Sequence, residues 1–302
     1  MTDQLPFTGE RFVPELVREI WYEHWHRYAF ALPFVTGRRV LDCACGEGYG
    51  SRLLATRAER VTGLDLSARA VEHARRRYGD RGNLYFLEGE CTALPFPDGA
   101  FDVVVSFETL EHIAGQEAML AEFRRVLGPE GLLVLSSPDR RAYSDERGFE
   151  NEFHVRELYR DELIELVSRH FPAWRLFGQK LLFQSAIWPL DAAPGKCRLG
   201  VVDGHGEYLE HPAPPNTPLY FVMLCAAREA ALPSGEPALD LFADEAESVY
   251  GHYNAEVRHH IESGAVLDSL RERIAELESR LEAGEGGRGW NWFIRILKRI
   301  GR

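Results

Sequence analysis

The stretch Val40-Leu41-Asp42-Cys43-Ala44-Cys45-Gly46-Glu47-Gly48-Tyr49-Gly50 has the residue types of a ligand-binding turn. A short apolar run ends in an acid, and glycines stand at every second position from Gly46 to Gly50. Glycine tolerates φ > 0 and carries no Cβ, so a ligand can lie against its backbone. Ser51-Arg52-Leu53-Leu54-Ala55 then begins a helical pattern, and a helix N-terminus offers free N–H groups. Strand, tight turn and helix in that order form the first βα unit of many nucleotide-binding folds. Asp65 ends the next apolar run, 19 residues after Gly46. A carboxylate at that separation suits a ribose diol. Asp42, Asp65 and Glu90 together would make a negative pocket, fit for a cationic ligand. Two histidines could move protons: His112, in Val105-Ser106-Phe107-Glu108-Thr109-Leu110-Glu111-His112, and His154, in Asn151-Glu152-Phe153-His154. An unperturbed imidazole titrates near 6.5, so it can accept a hydroxyl proton at neutral pH. Read alone, the glycine turn also fits a dinucleotide site or a plain tight turn.

The elements that must position these residues alternate. Strands are expected at Val40–Cys43, Arg60–Asp65, Leu84–Glu88, Phe101–Ser106 and Leu132–Ser136, with helices at Tyr49–Arg57, Ala68–Tyr78 (N-capped by Ser67) and Gln116–Leu127. Gly128-Pro129-Glu130-Gly131 is expected as the turn that stops the last of these helices. Such alternation implies right-handed crossovers and a parallel sheet covered on both faces. A further helix is expected over Phe153–Phe171, and two more strands at Trp174–Leu182 and Leu219–Ala226. Residues 186–217, rich in Pro and Gly, read as a long loop or lid. Ahead of the first strand, Glu19 to Phe34 places Ile20, Trp21, Trp25, Tyr28, Ala29 and Leu32 on one helical face. This helix packs on the sheet edge or caps the ligand. Its run Glu23-His24-Trp25-His26-Arg27-Tyr28 is rich in binding-capable groups.

Bulk properties narrow the classes. The 302 residues allow one domain of roughly 200–250 residues plus an appendage. A net charge of −12 argues against a nucleic-acid partner, because phosphate binding wants a basic face. The five cysteines form no CxxC pair. Cys43 and Cys45 read as small buried residues in a reducing compartment, and no metal site is expected. No apolar run reaches 18 residues and no leader pattern opens the chain, so a cytoplasmic protein is expected.

The glycine stretch resembles motif I of the class I S-adenosylmethionine (SAM)-dependent methyltransferases, D-x-G/A-C-G-x-G-x-G. Its third glycine comes two residues after the second, a spacing that favours SAM over NAD. Gly89-Glu90-Cys91-Thr92-Ala93-Leu94-Pro95-Phe96-Pro97-Asp98-Gly99-Ala100-Phe101-Asp102 is similar to that family's G-D-A-x-x-L-P-F-x-D-x-x-F-D block, with Glu90 where Asp is commoner. The resemblance covers residues 38–137. It implies a Rossmann-like α/β fold with a seven-stranded, mostly parallel sheet, the last strand antiparallel. It also implies SAM as cofactor, held by Asp42, Gly46, Gly48, Asp65, Leu66, Glu90, Cys91, Ser106 and Phe107. Phe107 walls the pocket or is an ordinary core aromatic.

More narrowly, five stretches resemble a bacterial subgroup associated with surface-polysaccharide and glycolipid assembly. They are T-G-E-R-F-x-P from Thr8, E-H-x-x-R-Y-x-F-A from Glu23, A-C-G-E-G-Y-G-S from Ala44, S-F-E-T-x-E-H from Ser106 and N-x-F-H-x-x-E-L from Asn151. Glu152 stands where Pro often follows the Asn. The resemblance implies O-methylation of a sugar hydroxyl. His112, following the fourth strand where the methyl must point, is then expected as base, and His154 as the group that orients the acceptor. A C- or N-methyltransferase on a small metabolite and a SAM-binding scaffold without turnover are the alternatives.

The expected organisation is an N-terminal helical cap (1–37), a methyltransferase domain (38–228), an acidic linker (229–247), a helix or short coiled coil (248–283) and a basic amphipathic tail (284–302). Leu267, Leu270, Ile274, Leu277 and Leu281 alternate by 3 and 4, which suits a homodimer through 267–281 or docking on the chain's own domain. Residues 288–302 carry five Lys/Arg, no acid and two Trp, which suits the inner face of an anionic membrane.

Overall fold

The computed structural model describes residues 19–184, 199–202, 208–211, 214, 216–235 and 239–282. The chain divides into two compact units between Ala243 and Asp244.

In the first unit, five parallel strands run β3 (Leu84–Glu88), β2 (Arg60–Asp65), β1 (Arg39–Cys43), β4 (Phe101–Ser106) and β5 (Leu127–Pro138) across the sheet. The last-in-sequence strand β9 (Tyr220–Ala226) is inserted between β5 and β6 (Ala173–Gln179), antiparallel to both. The expected seven-stranded, mostly parallel sheet is therefore observed. The chain builds outward from β1 to β3, then crosses back to start β4 on the other side of β1. That reversal opens a crevice beyond the carboxyl ends of β1 and β4.

Alternation along the strands feeds two cores. Val40, Val61, Val103, Val105 and Val134 face one side, with Tyr28 and Val35 of α1 (Glu19–Val35), Tyr49 and Leu54 of α2 (Tyr49–Leu54), and Val71 and Ala74 of α3 (Ala68–Tyr78). Leu41, Leu64, Val104, Leu133 and Leu135 face the other side. There they meet Met119, Leu120 and Phe123 of α4 (Gln116–Val126), and Leu163 and Val167 of α5 (Arg160–Ser168). Ser67 caps α3 as expected, its Oγ accepting from the Ala70 N–H at 3.3 Å.

Three local expectations need correction. The helix expected from Phe153 starts at Arg160. Asn151 Oδ1 accepts the Phe153 N–H at 3.1 Å and holds the chain in a turn, and Glu162 accepts the Tyr159 N–H at 3.0 Å to open the helix later. The Gly128–Gly131 turn lies within β5, whose pairing with β4 starts at Leu127 and shifts register between Phe101 and Val103. Inside the expected 186–217 loop, β7 (Leu199–Val202) and β8 (Tyr208–His211) form an antiparallel pair.

The second unit holds α6, Ser248–Glu282. Leu267, Leu270, Ile274 and Leu277 are exposed on it. The side chain of Leu281 and the expected tail 284–302 lie outside the described residues. Among the described residues no helix is long and apolar enough to cross a membrane.

Candidate active site

The crevice has two halves. On the β1–β2 side, the backbone turns through left-handed conformations at Ala44 (φ 61°), Gly46 (φ 57°) and Gly48 (φ 94°). A Cβ at Gly48 would stand 2.8 Å from Ala74 Cβ and from the Phe86 ring. Packing of α3 and β3, as well as φ, therefore demands this glycine. Asp65 ends β2 with its carboxylate fixed: Oδ2 accepts the Gly46 N–H and Oδ1 the Ser67 N–H, both at 2.9 Å. Beside it Leu66 is 74% exposed, an apolar side chain left open where a flat ring could lie. Asp42 is fully buried, taking a hydrogen bond from Ser51 Oγ at 2.5 Å and one from Tyr28 OH at 3.1 Å. Burial pushes its carboxyl up to about 7 against those two donors. Asp42 thus shapes the turn from beneath it. Glu90 is exposed and accepts from Thr92 Oγ1. Cys91 is half-buried against the α4-side core.

At the end of β4, Ser106 is buried and its Oγ has no hydrogen-bond partner. Phe107 is buried edge-on to Tyr28, ring centres 5.0 Å apart. Phe107 packs within the core cluster on the α1 side, the core reading of this position. Glu108 follows at φ 49°, a costly conformation for a side chain with a Cβ. Ser136 secures it, accepting the Glu108 N–H at 3.0 Å and donating to Glu108 Oε1 at 2.6 Å.

Beyond Glu108 lies a second group that the sequence signalled only as the rich run from Glu23. Arg27, 1% exposed, reaches from α1 to Glu108 Oε2 at 3.7 Å, and its CZ lies 4.4 Å from the centre of the Tyr220 ring. Its Nε donates to Gln179 Oε1 at 2.7 Å, and Gln179 Nε2 donates to the Glu23 carbonyl at 2.9 Å. Arg27's two terminal nitrogens have no hydrogen-bond partner. Burial raises the Glu23 carboxyl, with Arg27 pulling it down. Tyr220 packs on Tyr143, and Tyr143 stacks on His154 at 5.3 Å. Tyr143, Gln179 and Tyr220 carry no local motif. Only the insertion of β9 between β5 and β6 brings Tyr220 and Gln179 to this edge.

His112 and His154, expected as the proton-handling pair, meet here edge-to-face at 4.9 Å. His112 Nδ1–H donates to the Phe153 carbonyl at 2.9 Å, which leaves the lone pair of the neutral ring on Nε2. That atom lies 3.8 Å from Glu111 Oε1. His154 Nδ1–H donates to Glu157 Oε1 at 2.5 Å, and its Nε2 accepts from Asn151 Nδ2 at 3.0 Å. Glu111 is buried with neither oxygen hydrogen-bonded. Burial, then the charge of Glu108, pushes its carboxyl well above the usual range. The stretches from Glu23, Ser106 and Asn151 thus converge on one polar cluster.

Residues 41–135 match the family model for a methyltransferase domain. A "probable S-adenosylmethionine-dependent methyltransferase" of Mycolicibacterium smegmatis is 41% identical over 167 residues, covering 54% of this chain and 64% of the relative. The similarly named Rv3030 of Mycobacterium tuberculosis is 40% identical over 166 residues, covering 54% and 60%. The chain thus spans less than two thirds of the length of either relative. A solved structure, the YcgJ protein of Bacillus subtilis, superposes with a TM-score of 0.49 at 18% identity, covering 68% of this chain and all of the other.

Proposed function

We propose that the chain is a SAM-dependent methyltransferase that methylates a hydroxyl of a polyhydroxylated acceptor, a glycan, glycoside or glycolipid. The cofactor supplies an electrophilic sulfonium methyl when bound. The β1–β2 half fits it: Asp65 offers a pre-oriented carboxylate to a ribose diol, and Leu66 an open apolar surface to the adenine. Gly46 and Gly48 keep the turn open, Glu90 and Cys91 border the base, and Ser106 and Phe107 border the methionine end. Such a site needs little more than orientation, exclusion of water and removal of the hydroxyl proton. His112 Nε2 carries the lone pair suited to that proton, and the Glu157–His154–Asn151 chain fixes a partner ring beside it.

The observation that carries the hydroxyl reading is the cluster of buried Glu23, Arg27 and Tyr220 with half-buried Glu108, Tyr143 and the two histidines. It presents donors and acceptors in several directions, as a polyol requires, and Arg27 and Ser106 still hold unmet hydrogen-bonding capacity. A cavity of about 540 Å³ next to Glu23 and Arg27 is lined by Phe30, Leu176, Phe177 and Leu181 among others. This favours a glycolipid within that class, with its apolar part along α1 and β6. Methyl transfer from radiolabelled SAM to matched glycolipids and their water-soluble head groups tests both points. Turnover of neither, with fatty acids or amines methylated instead, refutes the hydroxyl reading. The exposed apolar stripe of α6 supports pairing with a second copy, to be read from the mass in solution.

A further inference from the structure

We propose that Glu111, His112 and His154 form a binding site for one divalent transition-metal ion, of the Zn²⁺ or Co²⁺ type. Their ligand atoms lie within 4.8 Å of one another. Bonds of about 2.0–2.1 Å to a tetrahedral ion put donors roughly 3.4 Å apart, so the three need to close by at most about 1.4 Å. Two imidazoles and a carboxylate, with a fourth position open, make a catalytic rather than a structural donor set. Imidazole nitrogen selects such ions over Mg²⁺ and Ca²⁺, which prefer all-oxygen sites.

Three observations point to a cation independently of the spacing. Glu111 is 1% exposed and neither oxygen has a hydrogen-bond partner. Buried carboxylates are normally paired, hydrogen-bonded or bound to metal. Each histidine already makes the contact that orients a metal-bound ring. His112 gives its Nδ1–H to the Phe153 carbonyl, and His154 gives its own to Glu157. Both rings are thereby held in the tautomer whose Nε2 is a ligand. One contact opposes loading: Asn151 Nδ2 donates to His154 Nε2 at 3.0 Å and must yield. Glu108 and Glu157 border the cluster, and Arg27, whose charge also acts on Glu111, is the guanidinium beside Glu108.

An ion here would polarise an acceptor hydroxyl. The O–H bond then breaks more readily, its proton passing to Glu108 and the alkoxide charge being shared with the ion. The role of His112 changes from base to ligand. That use rests on the hydroxyl-methylation reading, whereas the site itself does not.

Metal uptake by the tag-free full-length chain, stripped by chelator, tests the site without cofactor or acceptor. Titration with Co²⁺, followed by visible absorption, should saturate at one equivalent, and Zn²⁺ should displace the band. Glu111→Gln and His154→Gln should abolish the stoichiometric step, with circular dichroism confirming the fold. Glu157→Gln, which loosens the ring orientation, should weaken uptake about 10–100-fold. The double change His259→Ala with His260→Ala on α6 should leave it unaltered. Absence of saturable uptake by the wild-type chain overturns the proposal, as does uptake lost in the α6 variant and kept in Glu111→Gln. A chain that takes up one equivalent yet methylates no hydroxyl keeps the metal site and loses the acceptor assignment.

Discussion

The two halves of the crevice satisfy their polar groups in opposite ways. On the β1–β2 side, Asp42 is met by Ser51 and Tyr28, and Asp65 by two backbone N–H groups. Buried Glu47 is met there by His73, Arg77 and Tyr78. On the β4–β5 side, Ser106 Oγ, Ser137 Oγ, both Glu111 oxygens and both terminal nitrogens of Arg27 have no hydrogen-bond partner. Leaving a buried polar group unmet costs about 1–3 kcal/mol. The carboxylates of the first half are satisfied within the protein, as a site for an invariant ligand requires. The second holds unmet hydrogen-bonding capacity that the proposed acceptor or ion would fill. On that proposal, preorganisation and specificity are separated along one sheet edge.

The largest effect that sharpens this contrast should come from Arg27. Arg27→Met removes the buried cation between Glu23 and Glu108 and leaves two acids facing Tyr220. Breaking a buried charge pair typically costs about 3–5 kcal/mol. Urea denaturation should show a loss of that order, and turnover should vanish. If the variant is as stable as the parent, Arg27 is not the counter-charge of this half, and the contrast fails there.

His112→Ala should follow in size. If it serves the proposed hydroxyl chemistry as base or as ligand, kcat should fall about 10²–10⁴-fold. The affinity for SAM, measured by calorimetry, should stay near that of the parent. Asp65→Ala should do the reverse. Loss of a charge-assisted acceptor costs about 1.5–3 kcal/mol, which weakens cofactor binding tens- to a hundredfold while kcat at saturating cofactor changes little. A mutation that moved both quantities together would mean that the halves are not separable.

The same contrast explains what could be read before folding. The cofactor half is local: Gly46, Gly48 and Asp65 fall within one βαβ unit, so their spacing alone carries the geometry. Five parallel strands were legible because alternation and apolar runs are also local, whereas the antiparallel last strand was expected only from the resemblance to the class I methyltransferases. The acceptor half draws on α1, β4, the 139–157 segment, β6 and β9. Tyr220 and Tyr143 have no signal until strand order brings them together. His154 was legible as chemistry but not as geometry, because the Asn151 turn displaces the helix start to Arg160. The metal-type cluster was missed for a related reason. Glu111 and His112 are adjacent, but His154 lies 42 positions beyond His112, brought to it by tertiary contacts such as the Phe153 carbonyl on His112 and the Val155 and Arg156 N–H groups on the Glu111 carbonyl.

A pH-dependent effect probes whether the satisfied half is as neutral as its hydrogen bonds suggest. Burial lifts the Asp42 carboxyl from 3.8 to about 7 in the folded chain, with Ser51 and Tyr28 opposing. A carboxyl raised on folding binds its proton more tightly in the native state. Its contribution to stability is therefore full below about pH 4 and is lost as pH rises through about 7. Asp42→Asn is neutral throughout and lacks this term. Between pH 5 and pH 8 the stability of the parent relative to Asp42→Asn should fall by about 2–3 kcal/mol. The other raised carboxyls, Glu23, Glu111 and Asp139, stand in both chains and cancel in the difference. Melting curves of the two proteins across that range supply the measurement. Parallel profiles would mean that Asp42 is ionised in the folded chain at pH 5. The cofactor half would then hold a buried charge of its own, ready for a cationic ligand, and the division between a satisfied half and a waiting half would narrow to the orphaned groups beyond β4.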